Sequence, residues 1–252
     1  EYGGKNQLYA GDISFIGSMY NEKHNLYDRL CGVNDYTKGY LDAIMKVQRS
    51  IYGYFFLEDM LKGDVLDEMM RVCPVKPNED GVETVQYVYA NYFLARRMAT
   101  DERTDILSRV GRELGKENKI NLYTPDASVR FINVNNKGTV DYNEMPYVFR
   151  NSKINLNITL RSIKSGIPLR CMDICGAGGF LLSNYQADLY DVFVPGEDMV
   201  IYDSIDDLMN KCKYYLSHDA ERRQIAQNGF GKIEEKHTYD VRFEEIFNRV
   251  FN

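Results

Sequence analysis

The sequence lacks a long apolar run: no stretch approaches the roughly 20 residues a helix needs to cross a bilayer, and no signal peptide is visible. It also lacks an excess of positive charge. Of 252 residues, 31 are Lys or Arg and 37 are Asp or Glu, a formal net charge of −6. A duplex nucleic-acid partner demands a basic face, so that class is set aside. A nucleotide is not, because backbone amides at a helix N-terminus can hold a phosphate. There is no CxxC pair. Cys31, Cys73, Cys171, Cys175 and Cys212 are odd in number and scattered, which argues against a disulfide framework and makes the cytoplasm the expected compartment. Cys171 and Cys175 stand one helical turn apart, but no ligand set accompanies them and no metal is expected. Phosphate-loop patterns of the GxGxxG and GxxxxGK[ST] kind, internal repeats and low-complexity tracts are missing too.

What remains is an ordinary globular composition, with enough chain for one large domain or two small ones. Asp12–Ser18 reads as a short buried strand ending in a Gly-Ser turn, and Asn25–Leu30 starts a helix. From Tyr36 to Leu114 the signal is helical. Leu41, Ile44, Met45, Ile51, Tyr52, Phe55 and Phe56 recur at three- and four-residue spacing, as do Ile106, Leu107, Val110 and Leu114. Pro74–Gly81 breaks this region in two. After Gly115 strands and helices alternate. Strands are expected at Ile120–Thr124, Val129–Asn133, Ile154–Thr159, Gly179–Ser183 and Val200–Tyr202. Helices are expected at Glu144–Asn151, from Leu169 to Cys175, after Ser204-x-x-Asp207, from Ala220 and from Tyr239. That alternation predicts an α/β, Rossmann-like parallel sheet. Residues 1–35 supply its first strand and helix, 36–114 form a helical insertion, and 115–252 supply the remainder.

In such a sheet ligands bind beyond the carboxyl ends of the strands. Gly17-Ser18 follows the first strand and has no bulky side chain to hold a phosphate off, although a plain tight turn explains it equally. The loop Arg161–Arg170 leads into a helix through Ser165, Gly166, Ile167 and Pro168. The free amides around Leu169 and Arg170 would face an anion, and Arg161, Lys164 and Arg170 add positive charge. Asp173, one turn inside, suits two vicinal hydroxyls of a ribose, or else simply complements the helix dipole. Gly176-Ala-Gly-Gly179 reads as a helix C-cap rather than a phosphate loop. No nucleophile with a nearby base is identifiable: His24, His218 and His237 lie in unrelated contexts, the last two near helix ends.

Several of these features, in order, resemble the C-terminal domain of the CgeB-like, or spore-maturation-type, glycosyltransferase-like proteins. They are Asn155-Leu-Asn157, Gly166-Ile-Pro-Leu-Arg170 with Asp173, Gly176–Leu182, Tyr214-Tyr-Leu216, Glu221-Arg222 with Ile225-Ala226 and Gly229, and His237-Thr-Tyr239 with Arg242. The opening strand with Gly17-Ser18 resembles the start of the same domain. The resemblance implies a GT-B enzyme whose C-terminal domain grips a nucleotide-diphosphate sugar as substrate, with no further cofactor. It places the ribose on Asp173 and the diphosphate on Gly17, Ser18 and the amides around Leu169 and Arg170. It sets the base against Val140, Tyr142 and Glu144. One departure stands out: where many retaining members carry Glu-x7-Glu, the first acid falls at Ser165. The chain also starts at Glu1 rather than a methionine, so it is either processed or cut from something longer. The acceptor-binding N-terminal Rossmann-like domain is the expected missing partner. Donor binding within a glycosyltransferase is the leading expectation. A non-catalytic nucleotide- or partner-binding module, and sugar-nucleotide hydrolysis, stand as alternatives.

Overall fold

A computed structural model describes residues 7–21, 25–77, 81 and 83–251. His24 lies outside the described residues. The chain divides into two compact units: one comprises Glu1–Gly17, Ser108–Ile158 and Ser165–Asn252, the other Ser18–Leu107 and Thr159–Lys164.

The first unit is built on six parallel strands in the order β3-β2-β1-β4-β5-β6. They are β1 (Gly11–Ile16), β2 (Ile120–Tyr123), β3 (Val134–Asn136), β4 (Ser152–Asn157), β5 (Leu181–Asn184) and β6 (Val200–Tyr202). All five pairings are parallel, the Rossmann-like arrangement expected. Central strands are apolar on both faces because helices cover both; Ile13, Leu122, Ile154 and Leu182 have no exposed surface to speak of. Several buried polar side chains at the sheet centre bond one another, whereas the Ser152 hydroxyl and Asn121 Oδ1 have no partner among the described residues. Ser14 Oγ donates to Asn155 Oδ1 (2.8 Å), whose Nδ2 donates to the Phe149 and Phe180 carbonyls. Asn157 Nδ2 donates to Ser183 Oγ (2.9 Å). These bonds cross from β1 to β4 to β5 and fix the register of the sheet centre, since an orphaned buried amide costs a large desolvation penalty.

The connecting helices are α6 (Met145–Asn151), α7 (Leu169–Gly176), α8 (Ile205–Ser217), α9 (Asp219–Lys236) and α10 (Tyr239–Phe251). Ser204 caps α8, its side chain accepting from the Asp207 amide. The Gly176–Gly179 run closes α7 with two reversed bonds: the Gly178 amide donates to the Cys175 carbonyl and the Gly179 amide to that of Ile174. Gly178 has φ of 76°, the left-handed conformation this stop requires. Gly179 is needed for space, since a Cβ there would lie 2.8 Å from both Asn155 Nδ2 and the Phe149 carbonyl oxygen.

One expected strand is corrected. Residues Val129–Asn133 do not extend; the strand begins at Val134. Asn133 has φ of 56°, and the Asn136 side-chain amide donates to the Asp126 and Val129 carbonyls, curling the segment into a turn.

The second unit is helical. It contains α1 (Asp35–Arg49), α2 (Leu57–Met60), α3 (Gly63–Val72) and α4 (Val85–Val88), which runs through a π-turn (Tyr89–Leu94) into α5 (Ala95–Leu114), a helix that belongs to this unit as far as Leu107. Leu41, Met45, Leu57, Met69, Tyr89 and Leu94 make its core. The periodic run through Phe56 predicts a longer α1 than is found. The helix stops at Arg49 because buried Gln48 bonds the next loop, donating to the Ile51 and Tyr54 carbonyls and accepting from the Phe56 amide. Gly53, at φ 78°, turns that loop. Among the described residues no helix is long and apolar enough to cross a membrane.

Candidate functional site

The strand order reverses between β1 and β4, and the crevice beyond their carboxyl ends is where such sheets take ligands. Leu169, the first residue of α7, follows β4 at this end. Its N-cap is Pro168, which has no side-chain acceptor to offer, so no side chain caps α7. The first-turn amides and the helix dipole therefore present positive potential. Gly166, at φ 91°, turns the chain into the helix.

Asp173 stands one turn along α7. Among the described residues no hydrogen bond engages its carboxylate. Burial raises its pKa, and the Arg170 charge opposes that rise. Asp173 and Leu169 line a cavity of about 580 Å³ that runs along the helix to Gly176 and Ala177, and that is also bordered by Tyr142, Met145, Pro146, Phe149 and Met172 and by Ile233, His237, Tyr239, Arg242, Phe243 and Ile246. The size lies in the usual range for small-ligand pockets, and the lining is mostly apolar with a few polar groups, as such pockets are. Arg242 donates to His237 Nδ1 (2.6 Å). Burial, then the Arg242 charge, lower the His237 pKa, so a neutral imidazole accepts that bond and ties the end of α9 to α10.

Of the residues expected to bind the donor, Tyr142, Leu169 and Asp173 line this cavity, as do Gly176, His237, Tyr239 and Arg242 from the matched motifs. Val140 and Ile167 pack against the neighbouring core instead. Glu144 is hydrogen-bonded to Tyr9, whose pKa is pushed up to about 12 by burial and by that carboxylate. Arg170 lies over the Phe149 ring and donates to Met145 Sδ (3.3 Å). Ser165 is exposed and the Gly166 amide donates to the Asp188 carboxylate. The Gly17 amide extends the sheet, donating to the Tyr123 carbonyl (3.0 Å). Ser18 begins the second unit, where its hydroxyl accepts from the Tyr20 amide (3.0 Å).

The positive charge assigned to the loop needs correction. Arg161 and Glu102 form a buried ion pair in the second unit, each side chain only 4% exposed, with Arg161 stacked on the Tyr52 ring. Lys164 pairs with Glu58. A buried guanidinium must be paired, and the expectation of a free rim of cations ignored that demand. Sequence reasoning also missed Asp188, Phe243 and Ile246; only the match at His237–Arg242 pointed toward that wall. Cys171 and Cys175 face the core, and burial raises both thiol pKa values.

The family model for glycosyl transferase-like proteins matches residues 96–248, more than half of the chain. Among solved structures the chain is similar to that of TarM, at 16% identity and a TM-score of 0.47, the match covering 58% of this chain and 32% of that one. The chain thus spans about a third of the length of that structure's chain. No curated protein matches the sequence.

Proposed function

The chain belongs to the glycosyl transferase-like family, and on that premise we propose that it is the donor-binding domain of a sugar-nucleotide-dependent glycosyltransferase. The observation that carries this reading is the pairing of an uncapped helix end with a carboxylate one turn away, both on one cavity. The Leu169 and Arg170 amides would hold the diphosphate, and Asp173 would accept from the two ribose hydroxyls. Tyr142 and the apolar wall from Met145 to Phe149 would take the base. In transfer, such amides stabilise the negative charge that gathers on the departing diphosphate. The acceptor and any base would come from another part of the protein.

The test is calorimetric titration with UDP, GDP and their monophosphates. The diphosphates should bind more tightly, because only they reach both the amide turn and Asp173. Equal affinity of di- and monophosphate removes the diphosphate cradle. A second reading, a non-catalytic nucleotide-binding module, is favoured by Ser165 standing where the resemblance expects an acid. Incubation with labelled sugar nucleotides and acceptors separates the two: a longer form containing an opposing domain should transfer sugar if the first reading holds, and bind without turnover if the second does.

A further inference from the structure

The amino ends of the central strands β4 and β5 border a second concave site. Ser152 begins β4, and Gly178 and Phe180 precede β5, so all three lie at the amino ends of the strands, away from the α7 N-terminus. With Arg150, Lys153, Asp219, Arg222, Arg223 and Ala226 they line a crevice of about 260 Å³. We propose that this crevice binds a phosphate group, free or carried on a small monoester, and that it is separate from the donor cavity. The proposal does not rest on the donor reading.

Four observations converge on it. First, the cations come from different elements. Arg150 ends α6, Lys153 lies on β4, and Arg222 and Arg223 lie in the first turns of α9, so the fold gathers charges that sequence spacing does not. Among the described residues two carboxylates answer them: Asp219 pairs with Arg222 (2.6 Å) and more loosely with Arg223 (3.5 Å), and Asp12 pairs with Lys153 (2.9 Å). Four cations against two acids leave a positive excess in a chain whose net charge is −6.

Second, donors are left over. Arg150 donates from Nε to the Ala177 carbonyl (3.2 Å), and its remaining N–H groups meet no partner among the described residues. A guanidinium fork matches two oxygens of one phosphate, which a lysine cannot do. Third, Ser152 lines the crevice and is buried at 6% exposure, and among the described residues its hydroxyl has no hydrogen-bond partner. Buried hydroxyls are normally satisfied, so an orphan beside a basic crevice points to an absent acceptor or donor. Fourth, α9 is long, and His218 at its N-cap offers no side-chain bond to the first-turn amides. Its dipole adds to the same field.

The surrounding acids respond to that field. The Arg222 hydrogen bond, then its charge, hold Asp219 below its ordinary pKa. Asp12 is also lowered: burial would raise it, but the Lys119 amide and Lys153 outweigh burial.

Inorganic phosphate is the probe, titrated at constant ionic strength against chloride and followed by amide resonances, with glycerol 3-phosphate as the second arm. Saturable shifts are expected at Gly178 and Ala220. The variant Arg150→Gln/Lys153→Gln/Arg223→Gln, whose three side chains are exposed or half-exposed, should keep the fold and weaken binding at least tenfold. Ser152→Ala should weaken it several-fold. Tighter binding of the monoester would identify a phosphorylated metabolite as the ligand, and tighter binding of phosphate the free anion. Shifts confined to Leu169 and Arg170, an equal response to chloride, or unchanged affinity in the triple variant overturns the site. Unchanged affinity in Ser152→Ala overturns the hydroxyl's place in it.

Discussion

Asp173→Asn isolates the charge on which the donor reading turns. The amide keeps the shape and removes the negative charge. In the unliganded protein that carboxylate has no hydrogen bond among the described residues, and burial raises its pKa above the ordinary aspartate value. An acid with a raised folded-state pKa contributes stability that is full below its unfolded pKa and is lost as pH rises through the folded pKa. At neutral pH, therefore, the ionised group weakens the fold slightly, and Asn should leave the melting temperature unchanged or raise it. Binding should move the other way. Hydrogen bonds to a charged group contribute about 1.5–3 kcal/mol net, so UDP or GDP should bind Asp173→Asn roughly ten- to a hundredfold more weakly. The wild-type affinity should also fall as pH drops through the raised Asp173 pKa. The nucleotide phosphates titrate too, so the informative quantity is the difference between the pH profiles of wild type and variant. Calorimetry and thermal melts at several pH values supply both readouts. A variant that melts markedly lower while binding nucleotide as well as wild type would mean that Asp173 serves the helix alone.

Ile154→Ala, at a fully buried position on β4, should cost about 2–5 kcal/mol in chemical denaturation, through lost transfer energy and the cavity left behind. Gly179→Ala should cost about 1–3 kcal/mol, because its Cβ would press on Asn155 and the Phe149 carbonyl; no loss of stability would show that the α7–β5 turn yields easily. Glu102→Ala should cost about 3–5 kcal/mol by stranding buried Arg161. The double variant Glu102→Leu/Arg161→Met should recover most of that loss, and a double variant as unstable as the single one would contradict the ion-pair account.

The sheet was legible because its strands are short apolar runs bounded by turn residues, and because β4 and β6 are each followed by a helix with its own start signal. Val200–Tyr202 was delimited correctly at both ends, and α8 begins where Ser204 and Asp207 place it. The errors fell where a side chain overrules the pattern. Val129–Asn133 has strand-forming residues, but Asn133 and Asn136 bind the backbone into a turn. The apolar period continues past Arg49, but Gln48 ends the helix from within the core. At the site, Asp173 and Leu169 were visible because Gly166 and Pro168 mark a bend before a helix. The wall formed by Tyr239, Arg242, Phe243 and Ile246 was not, because nothing in its spacing says which cavity α10 will border. The charges of Arg161 and Lys164 were misplaced for a related reason: their partners Glu102 and Glu58 lie far away in sequence.

An uncapped helix end is weak evidence by itself, and this chain shows why. Asn34, Thr84 and Ser204 cap their helices with side-chain acceptors, whereas Lys62, Pro168 and His218 do not. At α3, after Lys62, nothing further among the described residues accompanies the open end to ask for a ligand. At α7 it borders a cavity and a carboxylate without a hydrogen bond, and at α9 it borders a crevice with surplus cations and an unsatisfied hydroxyl. The buried Ser152 hydroxyl costs stability, since it forgoes a bond that water would have made. Sequences are locally consistent wherever only folding is at stake, and departures cluster where a site is being held ready. Two such clusters, lined by different residues, should therefore answer to two different ligands. The calorimetric titration and the phosphate titration probe them separately: Asp173→Asn should leave the phosphate response of Gly178 intact, and the triple cation variant should leave nucleotide affinity intact.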